Sequence, residues 1–263
     1  MFETESCFVT IEDGIGHITL SQPSRGNPFD LKFNTEISSI AAEMHQNSDV
    51  RCVLLDADGK YFSVGADLKA LLANRDELPA LVLKSAARLN SALSRFSGMD
   101  APLVVAVHSM AVGGAVSLCA AADFCLASRS ATFYAGYAGV GLVPDGGGTT
   151  FVPLRVGGRR ATEFFMRNEM WTAERAQLNG LINYVVADED LAAKAWALAR
   201  ELANGPTLAF GETKNLLRSA WKEPVESHLE QEAQALARVI KSDDSWNAMS
   251  AVLRKSKPSF NSR

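Results

Sequence analysis

Pro102-Leu-Val-Val-Ala-Val-His-Ser-Met-Ala-Val-Gly-Gly-Ala-Val-Ser-Leu-Cys-Ala-Ala-Ala-Asp123, followed downstream by Gly139-Val-Gly-Leu-Val-Pro-Asp-Gly-Gly-Gly-Thr149, decides the fold. The opening run 103–107 is apolar throughout and reads as a buried strand. Gly113-Gly114 then lets the chain turn tightly and bares backbone N–H groups. The small apolar run that follows suits a helix buried on most sides. Free N–H groups at a helix start favour negative charge, fixed or developing. Asp145 stands just before the second glycine cluster. The pattern reads as a backbone oxyanion site near Gly114 with the Asp145 carboxylate handling a proton beside it.

Outward from this stretch the chain alternates strand and helix. Upstream, apolar residues over 8–11 and 15–20 flank Asp13-Gly14, a hairpin signal. Phe33, Ile37, Ile40, Ala41 and Met44 recur at helical spacing and predict a helix over 29–46. A strand over 50–56, a glycine-interrupted turn over 61–68, a short helical segment over 68–72 and a long helix over 78–96 follow. Residues 123–127 and 132–134 read as short strands. This is the rhythm of an α/β core. Beyond Thr149 the chain turns mostly helical. Short helices are predicted over 159–167 and 172–178, with Thr172 as N-cap, and a strand within 180–186. Longer helices follow over 191–204, 206–221, 225–241 and 245–255, the first ending at Asn204-Gly205-Pro206.

The 263 residues suffice for one large core or two modest ones. A hydrophobic content of 47%, a charged content of 21% and a net charge of −4 describe an ordinary globular chain, not a nucleic-acid surface. No stretch of 18 or more apolar residues suggests a membrane span, and the first residues lack a signal-peptide pattern. Cysteines at 7, 52, 119 and 125 match neither a zinc motif nor a disulfide framework. They fit inert thiols in a reducing cytoplasm. There is no Walker sequence, no Gly-x-Gly-x-x-Gly spacing and no metal-ligand cluster.

Two segments could each offer an N–H to one oxygen: Gly65-Ala-Asp67 and Gly113-Gly114. Both follow predicted strands, where open α/β sheets place their sites. Gly-Gly before a helix is also ordinary close packing. Asp145 could be a turn or N-cap aspartate, since Pro-Asp-Gly is common turn chemistry. It could instead be an acid/base carboxylate in an apolar setting supplied by Val140-Gly-Leu-Val143. Asp67 reads first as a helix cap, His108 as a satisfied structural histidine, and Tyr134 and Tyr137 as pocket walls. Ser117 lies one turn past Gly114 but lacks a base to make it a nucleophile.

Phe62-Ser-Val-Gly-Ala-Asp-Leu-Lys69, Ala111-Val-Gly-Gly-Ala115, Ala122-Asp123, Phe133, Gly141-Leu-Val-Pro-Asp-Gly-Gly-Gly-Thr149 and the pair Ala176 with Gly180-Leu-Ile182 together resemble the crotonase superfamily of enoyl-CoA hydratases and isomerases. The resemblance covers nearly the whole chain. It implies an α/β, crotonase-like spiral of repeated ββα units over 1–200 and a helical region over 201–263. That region would serve oligomerisation and pocket closure, in trimers or in hexamers built as dimers of trimers. It implies an acyl-CoA thioester as small-molecule substrate, with coenzyme A present only as part of it and no permanently bound cofactor or metal. The thioester oxygen would sit between the N–H groups of Ala66 and Gly114. The CoA would run along Arg25, Val64 and Asp67, with Lys257 and Phe260 approaching from a neighbouring subunit. Leu68, Ser117, Phe133, Tyr137 and Leu142 would line the acyl pocket.

The departures from the family pattern bear on the reaction. Hydratases of the family carry two glutamates, and their positions here are Ser117 and Tyr137. Asp145 matches the acidic residue of several enoyl-CoA isomerases and the nucleophilic aspartate of 4-chlorobenzoyl-CoA dehalogenases. The histidine and tryptophan of those dehalogenases correspond to Asn90 and Tyr137. The expectation is therefore an isomerase in which Asp145 moves a proton between Cα and Cγ through a dienolate held by Ala66 and Gly114. The alternatives are a hydratase, hydrolase or dehalogenase using Asp145, and a non-catalytic acyl-CoA-binding protein.

Overall fold

Asp13 and Gly14 both take positive φ, 51° and 78°, the geometry of a two-residue hairpin turn. They fold β1 (Cys7–Glu12) against β2 (Ile15–Leu20), with Glu12 opposite Ile15. In this computed structural model, which describes residues 4–73 and 75–261, the chain continues through α1 (Leu31–Gln46), β3 (Cys52–Ala57), α2 (Leu68–Leu71), α3 (Leu78–Gly98) and β4 (Leu103–Val107). Next come β5 (Ala111–Val112), α4 (Gly114–Ala121), β6 (Phe124–Ser128) and β7 (Thr132–Tyr134). They are followed by α5 (Gly148–Val156), α6 (Gly158–Met166), β8 (Met170–Thr172), α7 (Ala173–Leu178) and β9 (Tyr184–Val186). The last third holds α8 (Leu191–Ala203), α9 (Thr207–Ser219), α10 (Val225–Val239) and α11 (Asp243–Leu253).

The main sheet has the order β1-β2-β3-β4-β6-β9 and is parallel beyond the first hairpin. Alternate strand residues enter two cores, as the two-residue strand period requires. Ile18, Leu20, Val53, Leu55, Leu103, Val105 and Val107 cluster with the buried sides of α1, α3 and α4. Ile15, Cys52, Leu54, Val104, Ala106 and Leu126 pack with Leu191, Ala195 and Ala199, a stripe at four-residue spacing on α8. Both faces are thus covered, the usual condition of a parallel sheet. A second small sheet, β5-β7-β8, lies beside the start of α4.

The α/β class with a helical C-terminal run is the one the sequence implies. Differences are local. The predicted helix over 29–46 starts at Leu31, because the Asp30 carboxylate caps it by accepting from the Phe33 N–H at 2.9 Å. The segment over 148–156 is helical despite an opening glycine and an internal Pro153. β5 has only two residues and β8 runs directly into the N-cap of α7, so neither leaves a strand pattern of its own. The division at 200/201 falls inside α8, which ends at Ala203 before Asn204-Gly205-Pro206. All four cysteines are free and buried, and burial pushes the Cys7 and Cys52 thiols up to about 12. Among the described residues no helix is long and apolar enough to cross a membrane, and no group of three or more His, Cys, Asp or Glu could hold a metal ion.

Candidate active site

The site is built where two chain segments leave the sheet side by side. After β3 the chain reaches Ser63, which pairs with Ala111 of β5. The Val112 N–H donates to the Ser63 carbonyl, and the Ser63 N–H to that of Met110, both at 3.1 Å. Three residues beyond this pair stand Ala66 on one segment and Gly114 on the other. Gly65 makes the approach possible. Its φ is +77°, and a Cβ there would meet the Val112 carbonyl oxygen at 3.0 Å. A loop from below locks the turn. Val64 N–H donates to Gly26 O and Phe29 N–H to Gly65 O, while the buried Asn27 side chain bonds three carbonyls between Asp58 and Phe62.

Gly113 sits at φ 57°, ψ −115°, backbone that only glycine holds without strain, and α4 begins immediately after it. Neither the Ala66 N–H nor the Gly114 N–H has a hydrogen-bond acceptor among the described residues. Gly114 is crowded on its other side. A Cβ on it would lie 3.1 Å from the Phe29 ring, 3.4 Å from Leu89 and 3.6 Å from Asp145 Oδ1. The Asp145 carboxylate therefore borders the peptide whose N–H is unpaired. Phe29 and Leu89 were not foreseen as site residues. Their only sequence signal was an apolar position on a helix or just before one, which core residues share.

Asp145 is held twice. Its carbonyl accepts from the Ser117 hydroxyl of α4 at 2.9 Å, and its Oδ1 accepts from the Tyr137 hydroxyl at 2.8 Å. Its carboxylate caps no helix, since α5 starts at Gly148 with no side-chain cap. The glycine run after it wraps Ser117: a Cβ on Gly146 would touch Ser117 Cβ at 3.4 Å, and one on Gly148 would touch Ser117 Oγ at 2.7 Å. Tyr137 is buried, with its ring edge-on to Phe165. Burial first, then the charge of Asp145, pushes its phenol far above the usual range, so it donates rather than accepts.

Several expectations need correction. The apolar setting foreseen for Asp145 is absent in the single chain: Val140, Leu142 and Val143 are 50%, 48% and 81% exposed, and Asp145 is itself exposed. Phe133 does not line a pocket. It is fully buried in the main core, where β7 pairs it with Trp171. Ser117 does not face a pocket either, because its buried hydroxyl is committed to the Asp145 carbonyl. Leu68 and Leu142 are exposed on the surface.

The cationic and tail residues lie elsewhere. Arg25 bridges Asp30 and Asp67 at 2.7 and 2.8 Å. Asp67 also caps α2 through the N–H groups of Lys69 and Ala70; the Ala70 N–H and then Arg25 hold its carboxyl below the usual range. Val64 packs its side chain towards Gly26. His108 bonds the Gly59 carbonyl at 2.9 Å, as a structural histidine would. The Phe260 carbonyl accepts from Arg51, whose N–H in turn donates to the Gly14 carbonyl. Arg51 precedes β3, whereas Ala66 follows it. The Phe260 carbonyl is therefore held near the start of β3, away from the end that leads to Ala66. A cavity of about 370 Å³ lies elsewhere, among Phe151, Leu154, Phe210, Leu217 and Trp221.

Fold and site together describe an α/β protein in which the Asp145 carboxylate borders Gly114, whose backbone N–H has no acceptor among the described residues. Residues 10–263 match the family described as enoyl-CoA hydratase/isomerase, and the chain belongs to that family. It is 31% identical over 251 residues to the 1,2-epoxyphenylacetyl-CoA isomerase of Escherichia coli, covering 95% of this chain and 96% of the relative. The 4-chlorobenzoyl coenzyme A dehalogenase-2 of an Arthrobacter species is 26% identical, covering 84% of this chain and 81% of that protein. The crystal structure of an enoyl-CoA hydratase from Polaromonas sp. JS666 superposes with a TM-score of 0.92 at 27% identity, over 98% of this chain and all of that one.

Proposed function

We propose that the chain is an acyl-CoA isomerase that shifts a double bond from the 3-enoyl to the 2-enoyl position, with Asp145 as its single base. The observation that carries this reading is the contact of Asp145 Oδ1 with the Gly114 position, 3.6 Å from where a Cβ would stand. In the proposed step a Cα–H bond of the 3-enoyl thioester breaks and its proton passes to the Asp145 carboxylate. The electron pair delocalises over the dienolate, and negative charge on the thioester oxygen is met by the N–H groups of Ala66 and Gly114. The same carboxyl then gives its proton to Cγ, which restores the carboxylate and leaves the double bond between Cα and Cβ. Each preorganised donor is worth roughly 3–4 kcal/mol of barrier. With serine and tyrosine at 117 and 137, no second carboxylate is available at those positions to direct water. The Escherichia coli relative is named an isomerase of an epoxide-bearing CoA thioester, which supports isomerase chemistry on a CoA thioester in general and not a double-bond shift in particular.

The direct test is incubation of the chain with 3-enoyl-CoA thioesters in D₂O, followed by NMR. Migration of the double bond, with deuterium appearing at Cα and Cγ, is the expected result. No exchange on any acyl-CoA that binds would support the non-catalytic alternative instead. The exposure of Asp145 in the single chain also leaves room for water and favours, as a second reading, hydration or substitution through Asp145. Reaction in H₂¹⁸O separates the two, since only the second puts the label into the product's acyl chain.

The helices after Pro206 would assemble the chain into trimers or hexamers. Val225, Leu229 and Leu236 of α10, with Ile240 just past its end, form an exposed apolar stripe, and Trp221, Trp246, Val252 and Leu253 add to the exposed apolar surface. The Phe260 carbonyl, held near the start of β3 and away from its own Ala66, fits a contribution of Lys257 and Phe260 to a neighbour's CoA, with Arg25, Val64 and Asp67 on the receiving side. Light scattering should give three or six times the 28.3 kDa chain mass; a monomer at micromolar concentration would refute the assembly. The four buried free thiols support a cytoplasmic location.

A further inference from the structure

We infer that Tyr137 is a positioning residue for the Asp145 base: its phenol holds one carboxylate oxygen so that the other alone carries the migrating proton. This rests on the reading of Asp145 as the base. Asp145 follows an exposed segment, so nothing about burial fixes its side chain. The restraint comes instead from Tyr137, whose hydroxyl donates to Oδ1 at 2.8 Å. Oδ2 has no hydrogen-bond partner among the described residues. The phenol is itself held in place, its ring buried and set against Phe165. Its carbonyl accepts from the N–H groups of Val140 and Leu142, both at 3.0 Å, so the same residue organises the loop that delivers Asp145. The Tyr137 ring also borders Gly113, with Cζ 3.5 Å from where a Cβ would stand there. One side chain therefore touches both the donor turn and the base.

The chemical consequence follows from which oxygen is free. In this reading the new O–H bond forms on Oδ2, the oxygen without a protein donor among the described residues, while Oδ1, the oxygen next to the Gly114 turn, stays hydrogen-bonded to the Tyr137 hydroxyl and fixes the carboxylate's orientation. The carboxylic acid then presents its proton to the acyl chain without rotating. The O–H bond on Oδ2 breaks as the Cγ–H bond forms, on the face from which the first proton left. Removal and return share one oxygen and one face, and part of the original hydrogen is carried from Cα to Cγ before water replaces it.

The test uses the full chain carrying Tyr137→Phe and a 3-enoyl-CoA deuterated at Cα. The ring and its packing are kept, and only the donor is lost. The expected result is a fall of about 10- to 100-fold in kcat with KM changed by less than about twofold. The share of deuterium delivered to Cγ, rather than lost to water, should drop severalfold. General loosening of the loop would lower kcat without selecting against internal transfer. Unchanged kcat and an unchanged share would overturn the inference. Should the variant fail to fold, the unaltered protein decides by stereochemistry: delivery to Cγ on the face opposite to removal overturns it, and same-face delivery supports it. Asp145→Asn measured in parallel separates the two levels. Full exchange in that variant sinks the base assignment and this inference together. An inactive Asp145→Asn beside a fully active Tyr137→Phe sinks this inference alone.

Discussion

Asp145→Asn is expected to leave acyl-CoA binding in place and to lower proton exchange at Cα and Cγ on the order of 10³-fold, the usual scale of a lost general base. The amide has the shape of the carboxylate and keeps an oxygen for the Tyr137 hydroxyl, so the hydrogen bond to Oδ1 can persist. What disappears is basicity. No neighbour replaces it, because Asp67 is occupied by Arg25 and by the start of α2. Stability should change little, since the carboxylate caps no helix and its backbone is held independently by Ser117. Calorimetric titration with an unreactive acyl-CoA checks binding, and NMR in D₂O checks exchange. Exchange at the unaltered rate would remove Asp145 from the chemistry.

Gly113→Ala is expected to cost about 10²- to 10³-fold in kcat, the scale of one lost oxyanion donor. Space is not the obstacle, since a Cβ would meet the Tyr137 ring at an ordinary 3.5 Å. The obstacle is the backbone, at φ 57° and ψ −115°. An alanine would be strained there by about 1–3 kcal/mol. The strain relaxes by rotating ψ of residue 113, the torsion that aims the N–H of Gly114. The variant should therefore lose stability modestly and activity severely. Urea unfolding measures the first and steady-state kinetics the second. A variant destabilised by that amount yet fully active would show that the Gly114 N–H does not face the reacting oxygen.

Much of this was open to inspection in the residue order, and the reasons are local. Asp13-Gly14 announces its hairpin because both residues tolerate positive φ. α8 is visible because Leu191, Ala195 and Ala199 repeat at a helical interval and Asn204-Gly205-Pro206 ends the pattern. Thr172 declares its helix by accepting from the Arg175 N–H, as capping chemistry predicts. α5 is hidden because Gly148 and Pro153 both argue against a helix; packing against α4, not propensity, makes it one. Phe133 misleads because an aromatic in a three-residue strand gives no sign of which side it faces. The Tyr137–Asp145 bond is hidden for another reason. Eight residues separate the partners, and they meet only because a short 3-10 turn over 138–140 folds the loop back.

The tight wrap of Gly146-Gly147-Gly148 around Ser117 has a consequence for how activities can diverge within the family. A glutamate cannot simply be installed at 117, because the loop already touches the serine, with the Gly148 Cβ direction ending 2.7 Å from its hydroxyl. A longer side chain would push away the very segment that carries Asp145. Descent from this arrangement to a two-carboxylate one must therefore change the loop before, or together with, residue 117, so the order of mutational steps is constrained.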